Sequence, residues 1–408
     1  LGTDDLARIT TANTGTLFIG DATKSNTVNV AGNFDIAAST PNAEIRAASL
    51  TQASGRIGTQ NLANHLLTIS TTSGASANIL GNSGTANLAM HNSGAGNVSV
   101  NVVSGNLNAT RSGPSGSGSG TAIDNANGTV GIDVQSGTLT MASSGGGLDA
   151  SGNVTLRSNG QFSVDDSVNS SSGNVKLVAG RSAGMTQVGE SGWSGGGAIT
   201  QSSLLINAPI RSGYASLNGS VELYATGPIT QSTAQDAGIQ SFYTDQNTQG
   251  ILKAITFNDG AQVSKIAMDN NITTAANPAF IGNCGGIVGT GNCVGPLTIE
   301  TRMANGLVPP QGSYAASDIS YKSISGTTLS GIGTAAAVAF SAPSMTITTS
   351  NLSGANVAFV ATNGNVDLNT QLTNSDVNGG VAGGKITLQA QNGSIKLNGS
   401  TDPTKQGA

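Results

Sequence analysis

The chain has 408 residues, a formal net charge of −5, 9% charged and 3% aromatic residues, and 58 glycines. An ordinary globular chain carries about 25% charged residues, so this composition suits a repetitive architecture better than a typical enzyme. No Lys/Arg cluster is present, which excludes a phosphate-tracking surface for nucleic acid. No apolar run approaches the roughly 18 residues that span a bilayer, and no secretory signal opens the sequence. Glycine and serine richness alone would fit disorder, but 37% hydrophobic content placed at period two exceeds what disordered chains carry. The first residue is Leu rather than Met, so the chain is expected to be a processed or internal piece of something larger, and its low charge and Ser/Thr/Asn surface suit life outside the cell.

In chain order, an acidic lead (Asp4, Asp5) precedes apolar pairs two residues apart at Leu17/Ile19, Val28/Val30 and Phe34/Ile36. Residues two apart share one face of a strand, and the residue between them points the other way. From Ala47 to Thr110 the pairs and single markers continue at Leu67/Ile69, Ile79, Leu88/Met90, Val98/Val100 and Leu107. The run RSGPSGSGSG, residues 111–120, has no apolar residue to bury and is expected to be a surface loop. Between Ser151 and Gln231 the repeat is most open: SGNVTL, NGQFSV, SGNVKL, GGAIT, NGSVEL and TGPIT each join a Gly-containing turn to an apolar–any–apolar triplet.

The first apolar residue of each unit recurs at Val130, Val154, Val175, Ile199 and Val221, intervals of 24, 21, 24 and 22 residues. A second triplet follows eight or nine residues later, as in Val154 to Phe162 and Val130 to Leu139. Such short strands are stable only when stacked on copies of themselves, which is what the coil of a parallel β-helix provides. The expected fold is therefore all-β: a right-handed parallel β-helix (β-solenoid) of about 20–24 residues per coil with loop excursions. Handedness follows from the resemblance described below and from general prevalence. The segments expected are regular coils over 1–240, irregular coils with a cysteine-containing loop over 241–322, and regular coils over 323–408 with a frayed end.

Between Gly238 and Lys322 the rhythm loosens, and Phe242, Tyr243, Phe257, Phe280, Tyr314 and Tyr321 fall in this window. Excursions from one coil are tolerated because turns project while the ladder stays intact. After Ser341 regular markers return, at Val357, Val366, Ile386 and Ile395.

The opening D-x-L-x-R-I-T…G-T-L-x-I-G…V-x-V order, GAITQ at 197–201, GPITQ at 227–231 and the GNV and GSI turns resemble internal segments of filamentous haemagglutinin-like adhesins. That family is exported by two-partner secretion, so the resemblance implies an outer-membrane secretion transporter as a partner, an extracellular or bacterial cell-surface location and an adhesive role. A self-assembling structural filament is the alternative within the same scheme.

Sites are few. Cys284 and Cys293, in NCGGIVGTGNC, are explained by a local disulfide in a secreted chain, and no further Cys or His is near enough in sequence to complete a metal site. His65 and His91 are the only histidines. Parallel β-helices also host polysaccharide lyases and hydrolases, whose sites need converging carboxylates; here the acidic residues are scattered, and Asp165-Asp166 should point apart. No catalytic, metal or cofactor site is expected, and the protein is read as not an enzyme. Charges at Lys176, Glu222, Asp367 and Lys396 interrupt any uniform Thr face of the ice-binding kind. Trp193, in a Gly-rich loop, together with Phe242 and Tyr243, are the candidate ligand contacts, because an exposed aromatic stacks on a sugar or a partner.

Overall fold

The computed structural model describes residues 15–21, 26–35, 42–52, 54–58, 66–111, 121–143, 145–180, 201–213, 219–232, 237–243, 248–258, 265–268, 296–303, 319–322, 327–332, 337–342, 344–348, 351–352, 356–369, 373–374 and 385–398. Among them the regular elements are strands, and nearly all pair in parallel. The fold is an all-β parallel β-helix. Backbone contacts divide the chain into two units, Leu1–Leu177 and Val178–Ala408.

In the first unit each full coil contributes one strand to each of three faces. One coil holds Ile123–Asn127, Val130–Val134 and Leu139–Met141, and the next holds Leu148–Ala150, Val154–Ser158 and Phe162–Val164. They stack with Ile123 on Leu148, Val130 on Val154 and Leu139 on Phe162. The expected markers thus sit in register: Val130, Ile132, Val154, Leu156 and Phe162 are all buried. Alternation places one apolar residue inward for each outward neighbour, so a triplet supplies two core side chains per strand.

Coil length varies more than the sequence reading allowed. Stacked partners lie 20 residues apart for Asp149 and Asn169, 21 for Thr71 and Asn92, and 33 for His91 and Asp124. The 33-residue interval contains the 111–120 run, most of which lies outside the described residues. Lengthening a loop costs closure entropy only logarithmically, so an excursion leaves the ladder intact.

The G-N-V and G-N-L turns have a second function besides bending the chain. Asn97 Oδ1 accepts from the Thr129 N–H (3.1 Å), Asn106 Oδ1 from the Thr138 N–H (2.9 Å) and Asn153 Oδ1 from the Asn174 N–H (2.9 Å). Each turn asparagine pairs a backbone donor of the next coil, where a corner gives the strand ladder no partner. Gly96, beside Asn97, has φ +119°, and a Cβ there would lie 2.5 Å from Ser73 O. Only glycine fits that corner.

A buried polar corner lies inside the stack. Asn92 is fully buried; its Oδ1 accepts from Thr71 Oγ1 (3.2 Å) and the Gly74 N–H (2.9 Å). Its Nδ2 donates to Gly94 O (3.1 Å), Gly96 O (3.3 Å) and Asn125 Oδ1 (2.9 Å). Asn125 in turn donates to Gly96 O (3.1 Å) and Thr129 O (2.9 Å).

In the second unit one face runs Leu204–Ile206, Ile229–Gln231, Ile266–Met268, Ile319–Lys322, Ala337–Ala342, Asn356–Ala361 and Lys385–Ala390. Another runs Val221–Ala225, Leu252–Asn258, Pro296–Met303, Thr327–Ile332, Met345–Ile347, Val366–Leu368 and Ile395–Leu397. Both ladders therefore continue through the irregular 241–322 window. Inside it, Phe257 and Tyr321 are packed: both are buried. Tyr321, Phe340 and Phe359 stack on consecutive rungs, with ring centroids 5.9 and 5.8 Å apart. Phe280 and Tyr314 lie outside the described residues.

Two expectations change. The Thr226 N–H donates to Ala179 O (3.0 Å), so no rung lies between these residues on this face. The interval marked through Ile199 is one long coil here, not two of ordinary length; Ile199 itself lies outside the described residues. The triplet rule also stops one residue short. Val178, Tyr224 and Ile255 follow inward residues and point outward, yet they form a buried apolar cluster with Phe257. Lys253 Nζ lies over the Tyr224 ring (5.6 Å), and Tyr224 Oη donates to Glu222 Oε2 (3.0 Å), closing the edge of that cluster with outward charges.

Candidate functional site

Among the described residues of the first unit, charged side chains gather in an outward column on one face. Its strands are Thr16–Gly20, Asn42–Ala47, Leu66–Thr71, the 88–92 part of Ala75–Ala95, Ile123–Asn127, Leu148–Ala150 and Val168–Ser170. Ala43, Ile45 and Ala47 are buried, so alternation turns Glu44 and Arg46 outward. Register then stacks Phe18 beside Glu44, and Arg46, Ser70, His91, Asp124, Asp149 and Asn169 one above another.

These side chains hold one another in place. The Arg46 guanidinium donates from Nε to Glu44 Oε1 (2.7 Å) and from Nη2 to Glu44 Oε2 (2.9 Å), a bidentate pair. It also lies 4.4 Å from the centroid of the Phe18 ring. Ser70 Oγ donates to Glu44 Oε1 (3.2 Å). His91 donates from Nδ1 to Asp124 Oδ2, and Asn169 Nδ2 donates to Asp149 Oδ1 (2.7 Å). Phe18 is 54% exposed and the Asp124 side chain 41%, whereas the Glu44 side chain is mostly covered and Asn169 is buried.

The hydrogen bond to Glu44 raises the Arg46 pKa above its ordinary value; desolvation opposes this, and the charges of Glu44 and Asp21 add to it. A basic group raised in this way contributes stability below its unfolded value that is lost only as pH rises through its folded value. That window lies in strong alkali, so the guanidinium stays charged under any working condition.

The sequence-derived candidates fare differently. Trp193, Cys284, Cys293 and His65 lie outside the described residues. Phe242 and Tyr243 end the strand Ile239–Tyr243, where Phe242 pairs antiparallel with Gln249. The Asp165-Asp166 pair lies just past the strand Phe162–Val164 rather than within one, and its two carboxylates take different, structural partners. Asp165 Oδ1 accepts from Ser163 Oγ (2.6 Å). Asp166 accepts from the Gly145 and Gly146 N–H groups (both 3.1 Å) and from the Ser167 N–H (2.7 Å). Asp166 therefore caps a corner. Among the described residues no group of three or more His, Cys, Asp or Glu could hold a metal ion.

The column itself escaped the sequence reading, although a signal for it exists. Each member directly follows an inward marker of the same face: Ile45-Arg46, Ile69-Ser70, Met90-His91, Ile123-Asp124, Leu148-Asp149 and Val168-Asn169. Aligning those markers first would have revealed it. Comparison with protein-family models, curated proteins and solved structures finds no match to this chain.

Proposed function

We propose that the chain is a β-helical segment of a secreted or cell-surface filamentous adhesin, non-enzymatic, that presents its outer faces to surfaces, glycans or other cells. The observation that carries this reading is the outward column of the first unit, in which mutually paired charged and polar side chains lie in register on an open face (Glu44 with Arg46, His91 with Asp124). Binding groups arrayed along stacked coils suit attachment to an extended surface, whereas turnover needs reacting groups converged on one bound atom. The resemblance to filamentous haemagglutinin-like adhesins supports the same reading and adds an outer-membrane transporter as the export partner.

The test is attachment of the purified full chain to cells and to immobilised glycans. Saturable retention supports adhesion. A self-assembling extracellular filament is the second reading, and long fibres in electron micrographs without surface attachment would favour it. Turnover of a polysaccharide, lost on replacing one specific Asp or Glu, would replace both with an enzyme.

A further inference from the structure

We propose that the corner at Asn363-Gly364 is a site of spontaneous chemical modification, at which the asparagine loses ammonia and becomes a mixture of aspartate and isoaspartate. The chemistry belongs to the folded chain itself and is the same whether that chain serves as an adhesin or as a filament.

Asparagine is a thermolabile residue, most of all before glycine, which has no Cβ to block the approach of its own nitrogen to the preceding side chain. The step is a cyclisation. The Gly364 nitrogen gives up its proton to water and attacks Cγ of Asn363; the new C–N bond forms, the Cγ–Nδ2 bond breaks, and ammonia leaves. Water then opens the succinimide ring. Attack at Cγ gives aspartate, and attack at the backbone carbonyl gives isoaspartate, in which the main chain runs through Cβ and Cγ.

Asn–Gly pairs lie within the described residues at Asn127, Asn159, Asn363 and Asn392, and the fold holds them differently. Gly160 donates its N–H to Gly137 O (2.7 Å) and Asn159 its own to Val134 O (2.9 Å), so the nucleophile of that pair is tied to the preceding coil. Asn127 closes the strand Ile123–Asn127, opposite Ala95. Asn392 Nδ2 donates to Thr362 O (3.3 Å). Asn363 is exposed in the corner between the strands Asn356–Ala361 and Val366–Leu368. Among the described residues, neither its side-chain amide nor the Gly364 N–H makes a hydrogen bond. Cyclisation there has no hydrogen bond to break first.

The corner has little room for the product. A Cβ on Gly393 of the next corner would lie 2.2 Å from Gly364 O. Asn365 Oδ1 accepts from the Ser394 N–H (2.9 Å), and the Val366 N–H donates to Ser394 O (3.1 Å). Isoaspartate at position 363 lengthens the main chain just before these contacts, so the strand Ile395–Leu397 of the next coil should loosen.

The test incubates the full chain at mildly alkaline pH, folded and in denaturant, and follows each Asn–Gly pair by peptide mass mapping, with enzymatic methylation to mark isoaspartate. Dividing the folded rate by the unfolded rate at each pair removes the effect of flanking sequence. Asn363 should keep the largest share of its unfolded rate, and Asn159 should fall below it by about tenfold, the factor for opening a hydrogen bond before reaction. Asn363→Gln, at an exposed position, should abolish conversion there because the larger ring closes slowly. Amide exchange at Ile395–Leu397 should rise in the aged protein and not in the aged variant, with Val130–Val134 unchanged in both. Equal retained rates at Asn159 and Asn363 overturn the proposal, as does an Asn363 that stays intact while the other pairs convert. Equal exchange in the aged protein and the aged variant overturns the effect on the next coil.

Discussion

Replacing Asn92 by alanine would remove five hydrogen bonds from one interior corner and leave their partners in place. The Gly74 N–H (2.9 Å) and Asn125 Oδ1 (2.9 Å) lose their closest side-chain partner, whereas Gly96 O keeps the donor from Asn125 (3.1 Å) and the Thr71 hydroxyl is able to rotate. Stranding a buried polar group costs about 1–3 kcal/mol. With two groups stranded, the expected loss is about 2–6 kcal/mol, a large share of the total stability of an ordinary domain. Asn92→Leu, of similar volume, should fare no better, because it adds apolar area while stranding the same groups. The assay is denaturant unfolding of the full chain, combined with amide exchange at the neighbouring strands Leu66–Thr71 and Ile123–Asn127. Exchange should accelerate there first, since a solenoid coil is supported chiefly by its neighbours. The double variant with Asn125→Ala should be less damaging than the sum of the singles, because the two share a bond. A loss under about 0.5 kcal/mol for Asn92→Ala, or a gain in stability for Asn92→Leu, would refute the reasoning that the corner depends on full polar satisfaction.

Phe340→Ala should cost about 3–5 kcal/mol, because the ring is buried between Tyr321 and Phe359; amide exchange should rise at Ile319–Lys322 and Asn356–Ala361 and stay unchanged at Val130–Val134 in the first unit. Gly96→Ala puts a methyl 2.5 Å from Ser73 O at φ +119°; the expected loss in chemical denaturation is about 1–3 kcal/mol, and a neutral result would mean the corner relaxes freely. Asp166→Ala removes an acceptor of three backbone N–H groups and should lower stability by about 1–3 kcal/mol with no effect on glycan retention. Lys396→Ala breaks a 4.0 Å contact between a half-exposed lysine and the buried Oδ1 of Asp367, and unfolding should detect a loss of no more than about 1 kcal/mol.

Within a single rung, inward and outward could be read directly from the residues. Val130, Val154, Leu139 and Phe162 are buried where the triplets put them, because period-two alternation is a local property of extended backbone. The Gly-containing turns were visible for the same reason. The role of the asparagines beside them was not, since Asn97 acts on Thr129, which is distant in sequence and adjacent only across the stack. Tyr224 and Ile255 went unnoticed because an outward apolar residue means nothing until its rung neighbours are known.

The outward column shows the same division most sharply. That Arg46, His91 and Asp124 face outward follows from Ile45, Met90 and Ile123 beside them; that His91 and Asp124 touch across 33 residues follows only from the stacking of coils. Sequence alone settled the all-β repeat and the side of the strand each residue occupies, because those depend on backbone geometry and on the drive to bury apolar groups. Tertiary structure decided which rungs are neighbours. The chain between rungs is cheap to lengthen, and register is chosen by the match of one coil's apolar residues to the next.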